Sequence, residues 1–390
     1  MLNIILLGLV SFFTDLSTEM VYPLIPLYLT SVFGATPSLV GVIEGIAESI
    51  ASLLKVFSGY VTDRYQKKKA LAFSGYFPSM LYKVTLLFAS SWLGILGARI
   101  LDKIGKGIRT APRDVLVSES TDKENMGKAF GIHKALDMGG SALGILATYF
   151  ILKGMKDNYD FKKMFVLSII PAIMGLLMFI FIKEKKQIRV VKAREAFWRN
   201  IGKLDGQLRL YLLVVFLFTL GNSSNSFLIL RAKSTGFTTV SVILLYFIYN
   251  IIASLLSIPL SRLSDKVGRK KLLVPGYLTF SLCYFGFAFA STAVMMVVVF
   301  VIYGIYTAMI SGVERAFVAE VAPSDLKGTM LGLHSTIVGL ALLPASIIAG
   351  LLWDNFGVVT PFIFGACMSL LAALLLLFYM KNPQTAKQRI

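Results

Sequence analysis

Very little of this chain is charged, and almost none of it is cysteine. Asp, Glu, Lys and Arg together make up 15% of its residues, against about 25% in an ordinary soluble domain. No stretch is both polar enough and long enough to form a separate soluble domain. The two cysteines, Cys283 and Cys367, each stand alone in an apolar run, which excludes a disulfide framework. A phosphate-binding loop is missing as well. Gly105-Lys106 lacks the upstream glycine, which is Ile100 here, and lacks a following Ser or Thr. Neither a metal-ligand motif nor a nucleophile–base spacing stands out. The sequence therefore argues against an enzyme, calls for no cofactor, and points to an ion gradient rather than ATP as the energy source.

What fills the chain is apolar. It is 56% hydrophobic, with 29 Phe, and runs of roughly 20 apolar residues, the length needed to cross a bilayer, recur from end to end. Twelve spans are predicted, over about 4–32, 39–62, 70–90, 91–115, 127–152, 163–182, 210–232, 238–262, 271–290, 293–318, 328–352 and 358–380. The N-terminus has no Lys or Arg ahead of its apolar run, carries Asp15 and Glu19, and shows no small-residue cleavage site. It reads as an uncleaved first span rather than a signal peptide. The expected fold is an all-α membrane protein whose twelve transmembrane helices form two six-helix bundles, over 1–182 and 210–380. A basic linker at 183–209 joins them, and a tail follows at 381–390.

The net charge of +18 is not a nucleic-acid signal, because of where it lies. The loop from Asp63 to Lys69 carries +3, that from Arg262 to Lys271 +4, the 183–209 segment +6 and the tail +3. These all fall on one side of a twelve-span topology. Basic loops favour the cytoplasm, so both termini and the linker should lie inside, in a cytoplasmic (plasma) membrane. The outer loop from Lys153 to Lys163 is mildly basic against that rule.

The chain also repeats itself. Gly59, Asp63, Arg64 and Lys67 lie in a segment that returns about 202 residues later with Asp265, Lys266, Gly268 and Arg269. Gly75-Tyr76 returns as Gly276-Tyr277, Arg113 as Arg315, and Gly131 and His133 as Gly332 and His334, at offsets of 201 or 202. Duplicated halves in a very apolar chain indicate a secondary transporter, whose halves rock about a central site. In the loop motif, Gly59 would let two helices approach. Asp63 would sit at a helix end, and the basic cluster would hold the loop inside.

These loop residues resemble the signature of the major facilitator superfamily. The second copy, Ser264-Asp265-Lys266-x-Gly268-Arg269-Lys270, is the closer match, and Gln66 stands where the first copy would carry Gly. The likeness covers the whole chain. It implies the major facilitator fold, a monomer, cavity walls from spans 1, 4, 7 and 10, and loop motifs that latch the cytoplasmic side, with Arg113 and Arg315 beside them.

Charges inside a membrane are costly and need a reason. They fall almost wholly in the first half. Asp15 and Glu19 lie four apart on span one. Span two has Glu44, Glu48 and Lys55 on one face, and span three has Lys83. Span four carries Arg99, Asp102, Lys103, Lys106 and Arg109, and steps of three and four join most of them to Arg113 in a stripe, with Arg113 itself read as a loop residue. Span five has His133, Lys134 and Asp137, with Gly140 and Gly144 continuing that face. The second half offers neutral groups: Asn222, Ser223, Ser224, Asn225 and Ser226 in span seven, Tyr246, Tyr249 and Asn250 in span eight, Tyr303 and Tyr306 in span ten. There Arg231 and Glu314 sit near helix ends and His334 is solitary. Acids and bases nearly balance in the first half, which equally fits mutual pairing with no ligand.

By resemblance, Arg99 and the glycines that follow it are similar to the proton-transfer pattern of proton-coupled members, and acids in span one resemble multidrug/proton antiporters. Ile145 stands where antiporters often have Pro. The reading is a proton-coupled exporter of a small solute. Asp15, Glu19, Arg99 and Asp102 would carry the coupling. Glu44, Lys103, Lys106, His133, Asp137, Asn222, Asn225, Tyr246, Tyr303 and Tyr306 would contact substrate. Three alternatives stay open. One is an organic-anion carrier using the cationic stripe. Another is a divalent-metal exporter using Asp15, Glu19, Glu44, His133 and Asp137, against which nearby lysines argue. The third is a non-transporting receptor or scaffold that uses Phe197 and Trp198 in the linker.

Overall fold

The apolar runs fold as helices because a bilayer leaves no other partner for their backbone N–H and C=O groups. A computed structural model of the chain describes residues 2–65, 67–122, 125–155, 159–184, 204–322 and 327–380. The elements are α1 (Leu2–Val21), a 3-10 turn (Tyr22–Leu24), α2 (Ile25–Phe33), α3 (Pro37–Tyr65), α4 (Lys68–Phe88), α5 (Trp92–Glu119), α6 (Met126–Gly154) and α7 (Phe161–Phe181). They continue with α8 (Gly206–Gly221), α9 (Ser226–Ser234), α10 (Thr239–Val267), α11 (Arg269–Phe289), α12 (Ala293–Ile310), α13 (Val313–Val321), α14 (Lys327–Phe356) and α15 (Thr360–Tyr379). Taking α1/α2, α8/α9 and α12/α13 as interrupted rods, the described residues form twelve spans.

Nine of these rods are long and apolar enough to cross a membrane by length and composition. The other three, α3, α4 and α5, carry Glu44, Glu48, Lys55, Lys83 and the span-four stripe. The burial pattern is that of a chain solvated by lipid. Phe88 is 80% exposed and Ile180 68%, whereas Lys83 and Arg99 are fully buried. Side-chain oxygens close several helix starts: Asp160 accepts from Lys163 N, Asp205 from Leu208 N and Thr292 from Met295 N.

The chain divides into two compact units, Met1–Ala35 with Ile46–Lys192 and Thr238–Phe247, and Thr36–Gly45 with Ala193–Phe237 and Ile248–Ile390. Each takes in a ten-residue piece that the sequence division at the linker assigns to the other half. The same four helix pairings recur in both. In the first unit α1 packs on α6 and α7, and α4 packs on α5 and α7. In the second α8 packs on α14 and α15, and α11 packs on α12 and α15.

Several sequence expectations need correction. Arg113 is a helical residue, because α5 continues to Glu119. The seventh span starts at Gly206, inside the segment assigned to the linker, since Asp205 caps it there. Spans one, seven and ten are interrupted at Tyr22–Leu24, Asn222–Asn225 and Ser311–Gly312. Gly59 makes no close helix contact, since a Cβ there would meet only Ala111 Cβ at 4.0 Å. The tight approach lies deeper. A Cβ on Gly75 would come within 2.6 Å of Arg109 N and 2.7 Å of Gly105 O, so α4 and α5 touch backbone to backbone. The side chains of Asp63 and Arg64, Phe197 and Trp198, the linker through residue 203 and the tail 381–390 lie outside the described residues.

Candidate coupling and substrate sites

In the first unit most of the membrane charges are paired with one another. On α1, Asp15 Oδ1 lies 3.9 Å from Arg109 Nη2 of α5, and its carboxyl is within hydrogen-bonding reach of Asp137 on α6. Asp137 in turn contacts Lys134 Nζ at 2.8 Å and Arg113 Nη1 at 3.9 Å. The glycine face of α6 sets this up. Gly140 and Gly144 lie directly against the backbone of Phe12 and Leu16, which brings α6 onto α1 one turn from Asp137. The cation beside Asp15 is thus Arg109.

Glu19, one turn along, belongs to a second group. It hydrogen-bonds Tyr246 and feels Lys106, Lys103 and Arg99, and its Oε2 is buried without a hydrogen-bond partner among the described residues. Arg99 pairs with Asp102 at 3.4 Å within α5, and its guanidinium stands 5.1 Å over the Tyr22 ring. Lys103 pairs with Glu48 at 2.5 Å. The Tyr246 ring lies 6.0 Å from that of Tyr22. Lys106 is exposed on α5. Glu44 is fully buried. His133 is buried too, and its Nε2 lies 3.0 Å from Ser11 Oγ, which contacts Tyr76 OH at 3.2 Å. Among the described residues no group of three or more His, Cys, Asp or Glu is placed to hold a metal ion. The five residues weighed for a divalent metal are therefore not gathered into one site.

In the second unit the polar residues surround the break between α8 and α9. Asn222 Nδ2 donates to Tyr306 OH at 3.2 Å, Asn225 Nδ2 donates to Tyr249 OH at 3.1 Å, and Tyr303 OH donates to Asn225 Oδ1 at 2.7 Å. Tyr249, Tyr303 and Tyr306 also meet ring to ring. Interrupted helices free backbone polar groups inside a membrane protein and are where substrate sites form. The break in span one lies at the equivalent place: Tyr22 plus the repeat offset of 202 is Ser224. An interruption was not legible in the sequence, although the Asn/Ser cluster marked its position.

Around the loop motifs, the contacts of Lys69, Arg269 and Lys270 stay within one unit each. In the second, Arg269 binds Asp265 at 3.1 Å and Glu320 of α13 at 3.1 Å, and Gly268 turns the chain at φ +98°, which favours glycine. Lys270 Nζ donates to Leu377 O and Met380 O at the end of α15, and Lys69 Nζ, at the matching place, to Ile180 O and Ile182 O at the end of α7. Cations are favourable at helix C-termini. Lys67 and Lys266 are exposed. Arg315 is exposed on α13, beside Glu314, whose engagement the sequence reading missed: its Oε1 accepts from Tyr277 OH at 2.8 Å.

Comparison with known proteins agrees with this architecture. The family model described as Major Facilitator Superfamily matches residues 7–230 and 210–390. An uncharacterised MFS-type transporter of Methanocaldococcus jannaschii is 38% identical, over 96% of this chain and 94% of its own. Among solved structures, a nucleoside transporter superposes with TM-score 0.82 at 12% identity, covering 97% of this chain and 100% of that one. A D-xylose-proton symporter gives 0.77 at 18% identity, covering 98% of each. A human organic anion transporter gives 0.69 at 15% identity, covering 96% and 98%. Those three likenesses show the fold. The chain belongs to the Major Facilitator Superfamily, as a multi-pass membrane transporter of small molecules and not an enzyme.

Proposed function

We propose that this protein is a proton-coupled exporter of a small solute, resembling the multidrug/proton antiporter branch. One observation carries the coupling: the carboxyls of Asp15 and Asp137 lie within hydrogen-bonding reach, between Arg109 and Arg113. Two carboxyls that close cannot both hold a full charge and share a proton instead. Losing that proton leaves two like charges on α1 and α6, which biases one arrangement of the bundle over the other. Glu19, with one free oxygen, is the second coupling group, next to Lys103, Lys106 and Arg99. Asn222, Asn225, Tyr303 and Tyr306 supply neutral contacts to the solute. Transport proceeds by alternating access, in a monomer in a cytoplasmic membrane with both termini inside.

An organic-anion carrier is the second reading, favoured by Lys106. Its ammonium is exposed on α5 and has no carboxylate within ion-pair distance among the described residues. The test is a thermal-shift titration of purified protein with tetraphenylphosphonium and with benzoate, following protons released on binding with a pH-indicator dye. A ligand that binds the folded state raises its apparent stability. Proton release with tetraphenylphosphonium, lost in Asp15→Asn with Glu19→Gln, supports the exporter reading. Stabilisation by benzoate alone, lost in Lys106→Gln, moves the substrate to an organic anion. Undiminished proton release in the double variant overturns the coupling site.

A further inference from the structure

We propose that Glu314 and His334 form a proton-binding site at the break in the tenth span. Span ten is interrupted at Ser311–Gly312, where Gly312 takes φ +83°, and Glu314 falls in the first turn of the helix that restarts there. A carboxylate is favoured at that end of a helix. Its Oε1 is occupied by Tyr277 OH at 2.8 Å. Its Oε2 faces His334 Nε2 of α14 at 4.0 Å, just beyond hydrogen-bond length. That Nε2 has no hydrogen-bond partner among the described residues, and His334 is 5% exposed. A buried ring nitrogen left unpaired is costly, and here the missing element is a proton.

The chemistry is a reversible protonation with no other reactant. In the tautomer that keeps its hydrogen on Nδ1, Nε2 presents a lone pair to Oε2; a proton taken from water onto that lone pair makes Nε2 an N–H donor, and a shift of about 1 Å closes an N–H···O bond to Oε2. Loss of the proton returns the nitrogen lone pair to face a carboxylate, and the bond opens. The bond joins α13 to α14 directly after a glycine turn, so protonation pins the segment that follows the break. The groups around the pair are Tyr211 of α8, Tyr277 of α11, Tyr306 of α12 and Arg315 of α13, with the Arg269–Glu320 pair further along α13.

The first half shows what the second has gained. His133 corresponds to His334 and Tyr76 to Tyr277, but His133 Nε2 already has Ser11 at 3.0 Å. At the repeat offset of 202, Glu314 matches Pro112 and Gly312 matches Thr110, in a helix that runs on unbroken. Acid and break occur together in one half only.

The full chain in nanodiscs tests this without a substrate, because it has only two histidines. Histidine-selective 15N NMR then gives two ring signals, assigned with His133→Gln. Glu314→Gln keeps the Tyr277 contact and removes the charge, so the His334 ring should lose about tenfold or more in proton affinity while His133 reports an intact fold. Protection of the amides of residues 311–321, taken as exchange relative to the intrinsic rate at each pH, should rise on acidification in the wild type and stay constant with pH in Glu314→Gln and His334→Gln. A His334 titration identical with and without Glu314 overturns the proposal, as does protection of 311–321 that still rises on acidification in both variants. The site does not rest on coupling at Asp15: Asp15→Asn should leave the His334 titration unchanged, whatever it does to proton release on ligand binding.

Discussion

At the scale of single residues, the sequence showed which groups carry charge inside the membrane and not how they pair. Asp15 and Glu19 share a helical face, yet one meets Arg109 and Asp137 and the other Tyr246 and the lysines of α5. Spacing places side chains on a face, whereas the partner depends on which helix lies opposite and how far it is rotated. Two substitutions separate site from scaffold. Asp102→Asn takes the carboxylate from beside the fully buried Arg99 guanidinium, and breaking such a buried pair costs about 3–5 kcal/mol. Thermal unfolding in detergent should show that loss, and adding Arg99→Gln should restore part of it. Arg231 is 7% exposed and donates to Phe287 O, Ala288 O and Ala290 O at the end of α11. Arg231→Leu should cost about 2–3 kcal/mol of stability, by leaving carbonyls unpaired, with ligand-induced stabilisation unchanged. A loss of ligand response in Arg231→Leu would make it a site residue instead.

At the scale of elements, all twelve rods were legible within a few residues: length and apolarity mark nine of them, and the other three, rich in charge, follow from the twelve-span pattern of the repeat. The interruptions were less legible. Tyr22-Pro23-Leu24 is apolar enough to belong to one long span, and Pro23, which has no backbone N–H, is the signal that marks its break, whereas a polar cluster such as Asn222 to Ser226 fits a cavity-facing helix as well as a break. Nor does sequence alone tell which glycines are contact points. Gly59 repeats with the loop motif and looked like one, yet it has open space, while Gly75 and Gly105 bring two backbones together. Gly59→Ala should therefore leave the unfolding midpoint where it is, within about 0.5 kcal/mol. Gly105→Ala should destabilise by about 1–3 kcal/mol, since its Cβ would lie 2.5 Å from Gly75 O. Equal effects at the two positions would mean that α4 and α5 pack differently from the structure described.

At the scale of the whole molecule, duplication is the feature most fully written in the sequence. The recurring Tyr76/Tyr277, His133/His334 and Lys69/Lys270 pairs occupy matching places in two sets of identical helix pairings. What duplication does not carry over is chemistry: the first half keeps ionisable side chains and the second keeps amides and phenols, with Glu314 as a half-buried acid held by Tyr277. Topology follows from charge placement instead. Lys67 and Lys266 are exposed at basic turns that the positive-inside rule assigns to the cytoplasm, and Ser291 is exposed in the turn between α11 and α12 on the other side. With Cys283 and Cys367 replaced by Ala, single cysteines at Lys67→Cys and Lys266→Cys should react with an impermeant maleimide only in inside-out vesicles. Ser291→Cys should react only in right-side-out vesicles. If Lys67→Cys and Lys266→Cys label from opposite faces, the chain does not have an even number of spans between its two loop motifs, and the twofold repeat cannot run in the same direction in both halves. If all three reverse together, the repeat stands and both termini lie outside, against the charge rule.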